Sequence, residues 1–193
     1  LVGEAPSSAG EFSVIGVGVV PARGMKRGQI INVAEATSAI RESLDGAERS
    51  SALKVNSAII SISGSHVGSQ NSQGAVGDQG VSLNDINHSL ESAQAITVPN
   101  NREIIHVIPR HFKVDEQDGV RNPIGMLGFR LEVQAHIVTG ATTSIQNLIK
   151  CANAAQVDVS ELVLTPLASA EAVLTSTERE MGVVLVDIGS GTT

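Results

Sequence analysis

From Phe129 to Ile137 the side chains alternate without a break. Phe129, Leu131, Val133, Ala135 and Ile137 fall on one face, Arg130, Glu132, Gln134 and His136 on the other. Such a pattern fits a β-strand with one dry and one wet face, and strands of that kind belong to antiparallel sheets, since parallel sheets are covered on both sides. The flanking sequence follows a different rule. Apolar, β-branched runs such as "VNSAIISIS" (55–63) and "VSELVLT" exchange with segments of helical period, as in layered α/β proteins. The chain must therefore hold two kinds of sheet, and residues 65 to 138 read as an α+β insertion within an α/β domain.

The remaining elements fit this division. Val14 to Val20 reads as a short strand ending at Pro21, followed by the loop "PARGMKRGQI". Asn32 with Glu35 predicts a helix start, and Val33, Ala36, Ile40, Leu44 and Ala47 make one apolar stripe. "GSHVGSQNSQGAVGDQG" (64–80) is too polar for a core and predicts short strands or a mobile excursion. Ser82 and Asp85 form a capping pair for a helix whose apolar face is Leu83, Ile86, Leu90 and Ala93. A strand over "REIIHVIPRHFKVD", a helix carrying Ile145, Leu148, Ile149 and Ala152, a helix behind Thr165 and Pro166, and a closing strand "GVVLVDIG" complete the reading.

Composition narrows the function. Three Phe, no Tyr and no Trp among 193 residues leave an aliphatic core between layers. A net charge of -7 argues against a nucleic-acid or anionic-membrane surface spread over this chain. The single cysteine, Cys151, excludes an internal disulfide and fits a reducing compartment; its place beside a helical stripe marks it as a small core residue. No apolar run approaches the roughly 20 residues that span a bilayer. The opening "LVGEAPSSAGEFSVIG", beginning at Leu1, reads as a strand end, a turn and a second strand, the mark of a chain cut at both ends.

The sharpest chemical signal is "DIGSGTT" (187–193). Two glycines let backbone amides approach a polyanion, the threonines add hydroxyl donors, and Asp187 can orient a magnesium-bound water. An ordinary strand-to-turn ending explains the motif equally well. Lys26 and Arg27, between Gly24 and Gly28, could point at phosphate, but a solvated loop is the preferred reading. "GVGVVP" lacks the third glycine of a dinucleotide loop, "GSHVG" has its serine one place early for a nucleophile elbow, and "VDEQDG" reads as a hairpin turn. His66, His88, His106, His111 and His136 lack metal-site spacing, so neither a metal site nor a catalytic residue is expected.

Together, "GVGVVPARGMKRGQI", "SISGSHV", "HVIPRHFKVDEQDGVRNPIGMLGFRLEVQAHIVTG" and "LASAEAVLTSTEREMGVVLVDIGSGTT" resemble the FtsA family of bacterial cell-division proteins, in the right order over essentially the whole chain. The resemblance implies an incomplete actin-like (ribonuclease H-like) α/β domain carrying an inserted α+β domain with an antiparallel sheet. Residues 1–64 and 139–181 would be a discontinuous domain 1A lacking its N-terminal strand, 65–138 the inserted domain 1C, and 182–193 the start of domain 2A. Asp187, Gly189, Ser190, Gly191, Thr192 and Thr193 would line the phosphates of ATP with magnesium in the full-length protein, with no nucleotide held by this fragment alone.

The implied function is a cell-division adaptor with at most weak ATPase activity. It would polymerise with other FtsA subunits, tether FtsZ filaments beneath the cytoplasmic membrane through a C-terminal helix, and recruit later division proteins through domain 1C. His111, Arg110, Arg130 and His136 are candidates for the exposed face of that domain. A cytoplasmic protein peripheral to the membrane at the division site follows, with no nucleic-acid partner. A PilM-like pilus-assembly adaptor and a sugar-kinase-type enzyme of the actin and Hsp70 superfamily are the alternatives; the kinase would need a carboxylate base and substrate cleft that the sequence does not display.

Overall fold

The computed structural model describes residues 1–4, 12–77, 80–95, 98–189, 191 and 192. In chain order its elements are β1 (Val2–Glu4), β2 (Ser13–Gly16), β3 (Met25–Lys26), β4 (Gln29–Ile30), α1 (Val33–Ser51), β5 (Ser57–Ile62), β6 (Val67–Val76), α2 (Leu83–Gln94), β7 (Arg102–Val114), β8 (Gln117–Val120), β9 (Leu131–Ala141), α3 (Thr142–Ala154), β10 (Asp158–Leu164), α4 (Thr165–Val173) and α5 (Ser176–Met181). They divide into two compact units, Leu1–His66 with Thr143–Thr193 and Val67–Thr142.

The second unit is a four-stranded antiparallel sheet in the order β6-β9-β7-β8 with α2 packed on one face. The alternation in the sequence places its core. Leu131, Val133, Ala135 and Ile137 are buried and meet Val81, Ala93, Phe112, Val114 and Val120, with Ile86 and Leu90 of α2 closing over them. Burying one such aliphatic side chain fully is worth about 1.5–3 kcal/mol. Phe129 departs from the expected stripe. It lies before β9 and is exposed, because the Asp115 carboxylate accepts from the amides of both Phe129 (3.0 Å) and Arg130 (2.9 Å) and takes that backbone out of the ladder.

Residues 64–80 correct the expectation of short strands or a mobile excursion. Val67–Val76 is one ten-residue strand, paired with β9 from Val67↔Gly140 to Val76↔Leu131 without a register shift. It is polar because its inner face needs small residues rather than apolar ones. A methyl on Gly74 would lie 1.9 Å from the Ser89 carbonyl oxygen of α2, and Ser72 Oγ donates to the Ala93 carbonyl at 2.8 Å. Helix α2 starts at a complete capping box, Ser82 accepting from the Asp85 amide while the Asp85 carboxylate accepts from the Ser82 amide. Leu83, expected on its apolar face, is exposed. Pro109 is tolerated within β7 because it adjoins a bulge and β8 pairs only further along, from Phe112.

In the first unit β1 and β2 pair antiparallel, as do β3 and β4, β5 and β10 pair parallel, and α1, α3, α4 and α5 complete it. Asn32 caps α1 by accepting from the Glu35 amide at 3.2 Å; Ala36 and Ala47 are buried on its inner side, while Val33 is exposed. Cys151 is fully buried on α3. Three expectations change here. The strand predicted over Val14 to Val20 ends at Gly16. β5 keeps one open face, on which Ser57, Ile59 and Ser61 are exposed, Ile59 at 64%. Residues 182–189 form no strand: nothing among the described residues pairs with them, and Val184, Val186 and Ile188 are exposed.

Candidate functional site

Two regions gather the residues singled out from the sequence, one in each unit. In the first unit, "GMKRGQI" is a tight hairpin in which Met25 pairs with Ile30 and Lys26 with Gln29. Its two turn residues, Arg27 (φ 49) and Gly28 (φ 74), both adopt the left-handed conformation that a two-residue turn of this hand requires. Gly28 has a second constraint, since a side chain there would meet the Ser63 carbonyl oxygen at 2.0 Å. The turn therefore rests on the connection that leaves β5.

The "DIGSGTT" turn approaches this same hairpin. A methyl built on Gly191 would contact Arg27 Cα at 3.5 Å and Arg27 Cγ at 3.8 Å. Within the turn the Gly189 amide donates to the Thr192 carbonyl at 2.8 Å. The half-buried Asp187 carboxylate accepts from Ser169 Oγ of α4 at 2.8 Å. Asp187, Gly189, Gly191 and Thr192 are thus brought together beside the Arg27–Gly28 turn; Ser190 and Thr193 lie outside the described residues. Lys26 and Arg27 are exposed, as the sequence implied. What sequence reasoning missed is the meeting of Arg27 with Gly191, a contact far apart in the chain that no local spacing signals.

In the second unit the sheet face away from α2 is mainly polar, with Ile108 and the buried Val138 as apolar members. From β9 it carries Glu132, Gln134 and His136, from β7 His111 and Lys113, and from β6 Ser69, Asn71 and Gln73. His136 Nδ1 and Asn71 Oδ1 are 2.8 Å apart across the β6–β9 ladder. His111 Nε2 lies 3.6 Å from Asp118 of β8, and Arg130 Nε 2.9 Å from Glu132. A depression of about 190 Å³ sits among Gln73, His111, Lys113, Asp118, Glu132 and Gln134. His111 and His136 share this face. Arg130 joins its end through Glu132, and Arg110 is the extra residue of the bulge between Pro109 and His111. Among the described residues no three His, Cys, Asp or Glu side chains gather as metal ligands.

The family model described as "SHS2 domain inserted in FTSA" matches residues 64–139. Cell division protein FtsA of Pseudomonas aeruginosa is 40% identical over 195 residues, covering 100% of this chain and 46% of that protein. The chain belongs to the FtsA family of cell-division proteins. FtsA of Bacillus subtilis is 36% identical, with 100% of the chain and 44% of the relative covered, and that of Escherichia coli 33%, with 100% and 46%. The chain thus spans a little under half the length of these relatives.

Among solved structures, a chain of the "PilM-PilN type IV pilus biogenesis complex" superposes with a TM-score of 0.51 over 79% of this chain and 40% of that one. Identity is 15%, so the likeness speaks for architecture alone. The fold class expected from the sequence holds: an actin-like α/β domain with an inserted α+β unit built on an antiparallel sheet. No helix among the described residues is long and apolar enough to cross a membrane.

Proposed function

We propose that this FtsA-family chain is the partner-recruiting and phosphate-facing part of a cell-division adaptor. The observation that carries the reading is the one-sided inserted unit. Helix α2 and the buried stripe of β9 dry one face of its sheet, and the other keeps His111, Lys113, Glu132, Gln134 and His136 available to a partner. Later division proteins dock on this face, while the protein polymerises with other FtsA subunits and holds FtsZ filaments at the cytoplasmic membrane. Membrane attachment resides in a C-terminal amphipathic helix of the longer protein.

The "DIGSGTT" turn suits a nucleotide phosphate. Glycine at 189 and 191 lets backbone approach an anion closely, Arg27 stands beside the turn, and Asp187 is held by Ser169. Asp187, Gly189, Gly191 and Thr192, with Ser190 and Thr193 of the same motif, would hold ATP and magnesium. Bound ATP would supply charge that orders the turn as a switch, with at most weak hydrolysis.

The test uses the whole chain as bait in a bacterial lysate, beside a His111→Ala/His136→Ala variant of the polar face. Recovery of division proteins by the parent and their loss with the variant supports the adaptor. Recovery of pilus-assembly proteins instead, or ATP-dependent phosphorylation of a small metabolite by the full-length protein with no division partner, overturns it.

A further inference from the structure

The two edges of the inserted sheet are built differently. On the β8 side, the outermost strand has only four residues, carries Asp118, and pairs with β7 through a register shift. Where β8 does not reach, β7 presents Pro109, exposed Arg110 and two further irregularities, between Ile104 and His106 and between Pro109 and His111. Short length, charge, proline and bulges are the devices by which sheets prevent another strand from adding to an edge. The β6 edge has none of them. It is ten residues long, contains neither a charged residue nor a proline, and keeps regular register with β9 throughout. Its backbone pairs with β9 on one side, and the described residues supply no main-chain partner on the other. An edge left open in a sheet whose other edge is guarded is a pairing surface.

We propose that β6 pairs antiparallel with β6 of a second copy of this chain about a two-fold axis, joining two four-stranded sheets into one of eight. The occupant is argued from self-complementarity. A two-fold pairing sets each residue of β6 against another residue of the same strand, and in a chain of net charge -7 this segment places no charge against its own image. The axis stands normal to the sheet and preserves its faces, so directly opposed residues share a face and the axis must pass through a residue. Asn71 and Ser72 are the two middle positions. With Asn71 on the axis, Ser69 opposes Gln73 of the other copy on the polar face and Gly68 opposes Gly74 on the other face, all small or able to hydrogen-bond. The pairing is made by the edge backbone of β6, whose Ser69, Asn71 and Gln73 border the polar face, and it does not depend on the proposed recruitment of division proteins.

The test is sedimentation of the 193-residue chain over a concentration series, beside Ser69→Lys/Gln73→Lys. Both positions are exposed, and the lysines set like charge against the edge of the other copy in either register. A concentration-dependent dimer whose dissociation constant rises about tenfold or more in the lysine variant, with unchanged circular dichroism, is expected. Asn71→Cys and Ser72→Cys are oxidised in parallel with the parent, whose buried Cys151 is the control; whichever residue lies on the axis cross-links to itself. A chain that stays monomeric, a dimer indifferent to the lysines, or an edge that captures an extended peptide but no second copy overturns the proposal.

Discussion

Gly74→Ala tests the packing of α2 on the inserted sheet, because two opposed effects meet at one atom. Gly74 has no positive φ, so alanine fits the backbone conformation. On that ground alone the change would stabilise by about 0.4–1 kcal/mol through a less disordered unfolded chain. The new methyl, however, would sit 1.9 Å from the Ser89 carbonyl oxygen and 2.5 Å from the Ala93 amide nitrogen. Both atoms belong to the backbone of α2 and cannot rotate away. Restoring ordinary contact means moving the helix by roughly 1 Å off a core in which Ala93, Val133 and Ala135 are 0% exposed. Overpacking of this kind costs about 1–3 kcal/mol, and the rigid neighbours put it at the upper end, for a net loss of about 2 kcal/mol. Gly77→Ala is the matched control: its methyl would meet only the Phe129 carbonyl at 3.4 Å, and a change within about 0.5 kcal/mol is expected. With no Trp or Tyr in the chain, urea unfolding is followed by far-ultraviolet circular dichroism, and hydrogen exchange at Val133 and Ala93 localises the loss to the second unit. Gly74→Ala as stable as the parent, with Val133 equally protected, would refute the claim that small residues on β6 are there to admit α2.

Other outcomes follow from the same contacts. Ser82→Ala removes the cap of α2 and costs about 1 kcal/mol near neutral pH. The Ser82 side chain, then its amide, holds the Asp85 carboxyl below its ordinary value, so this contribution is present above the ordinary carboxylate range and lost as pH falls through the lower folded value. The gap between parent and variant should therefore narrow on acidification below about pH 4, and a gap that widens there contradicts the cap. Asp115→Asn keeps a residue tolerant of φ 50 but weakens the acceptor for Phe129 and Arg130; their amides should exchange about tenfold faster, and unchanged protection would show that the loop is held otherwise. Ile137→Ala, at a fully buried position of the central strand, should cost about 2–5 kcal/mol by denaturant titration.

What the sequence displayed was the part of the fold governed by local rules. The β9 alternation located the core of the insertion because a central strand, paired on both sides and covered on one, repeats its environment every two residues. The pattern overran at Phe129, where a carboxylate fourteen residues earlier, Asp115, takes the amides the ladder would have used. The same limit explains the apolar run at 182–189: hydrophobicity and β-branching make a segment able to be a strand, and a neighbouring backbone is what makes it one. For the candidate phosphate turn, Asp187 and the glycines were legible as a motif. The Arg27–Gly28 turn beside it was not, because that contact joins distant positions in the chain.

β6 exposes a subtler failure. Hydropathy treats dryness as the property of an apolar side chain, yet a position can be dry because it has almost no side chain. Gly74 is buried under α2 and Ser72 satisfies its hydroxyl on the Ala93 carbonyl, so a segment polar by composition forms a strand with a packed inner face. Small residues bring the helix backbone close enough that burial there comes from contact between main chains. The longer side chains of the same strand, Gln70, Asn71 and Gln73, are uncharged, so no charge guards its outer edge. Close helix packing and an open edge are therefore two consequences of one composition, and substitutions on β6 should separate them by face: changes at Gly74 act on stability, changes at Ser69 and Gln73 on association.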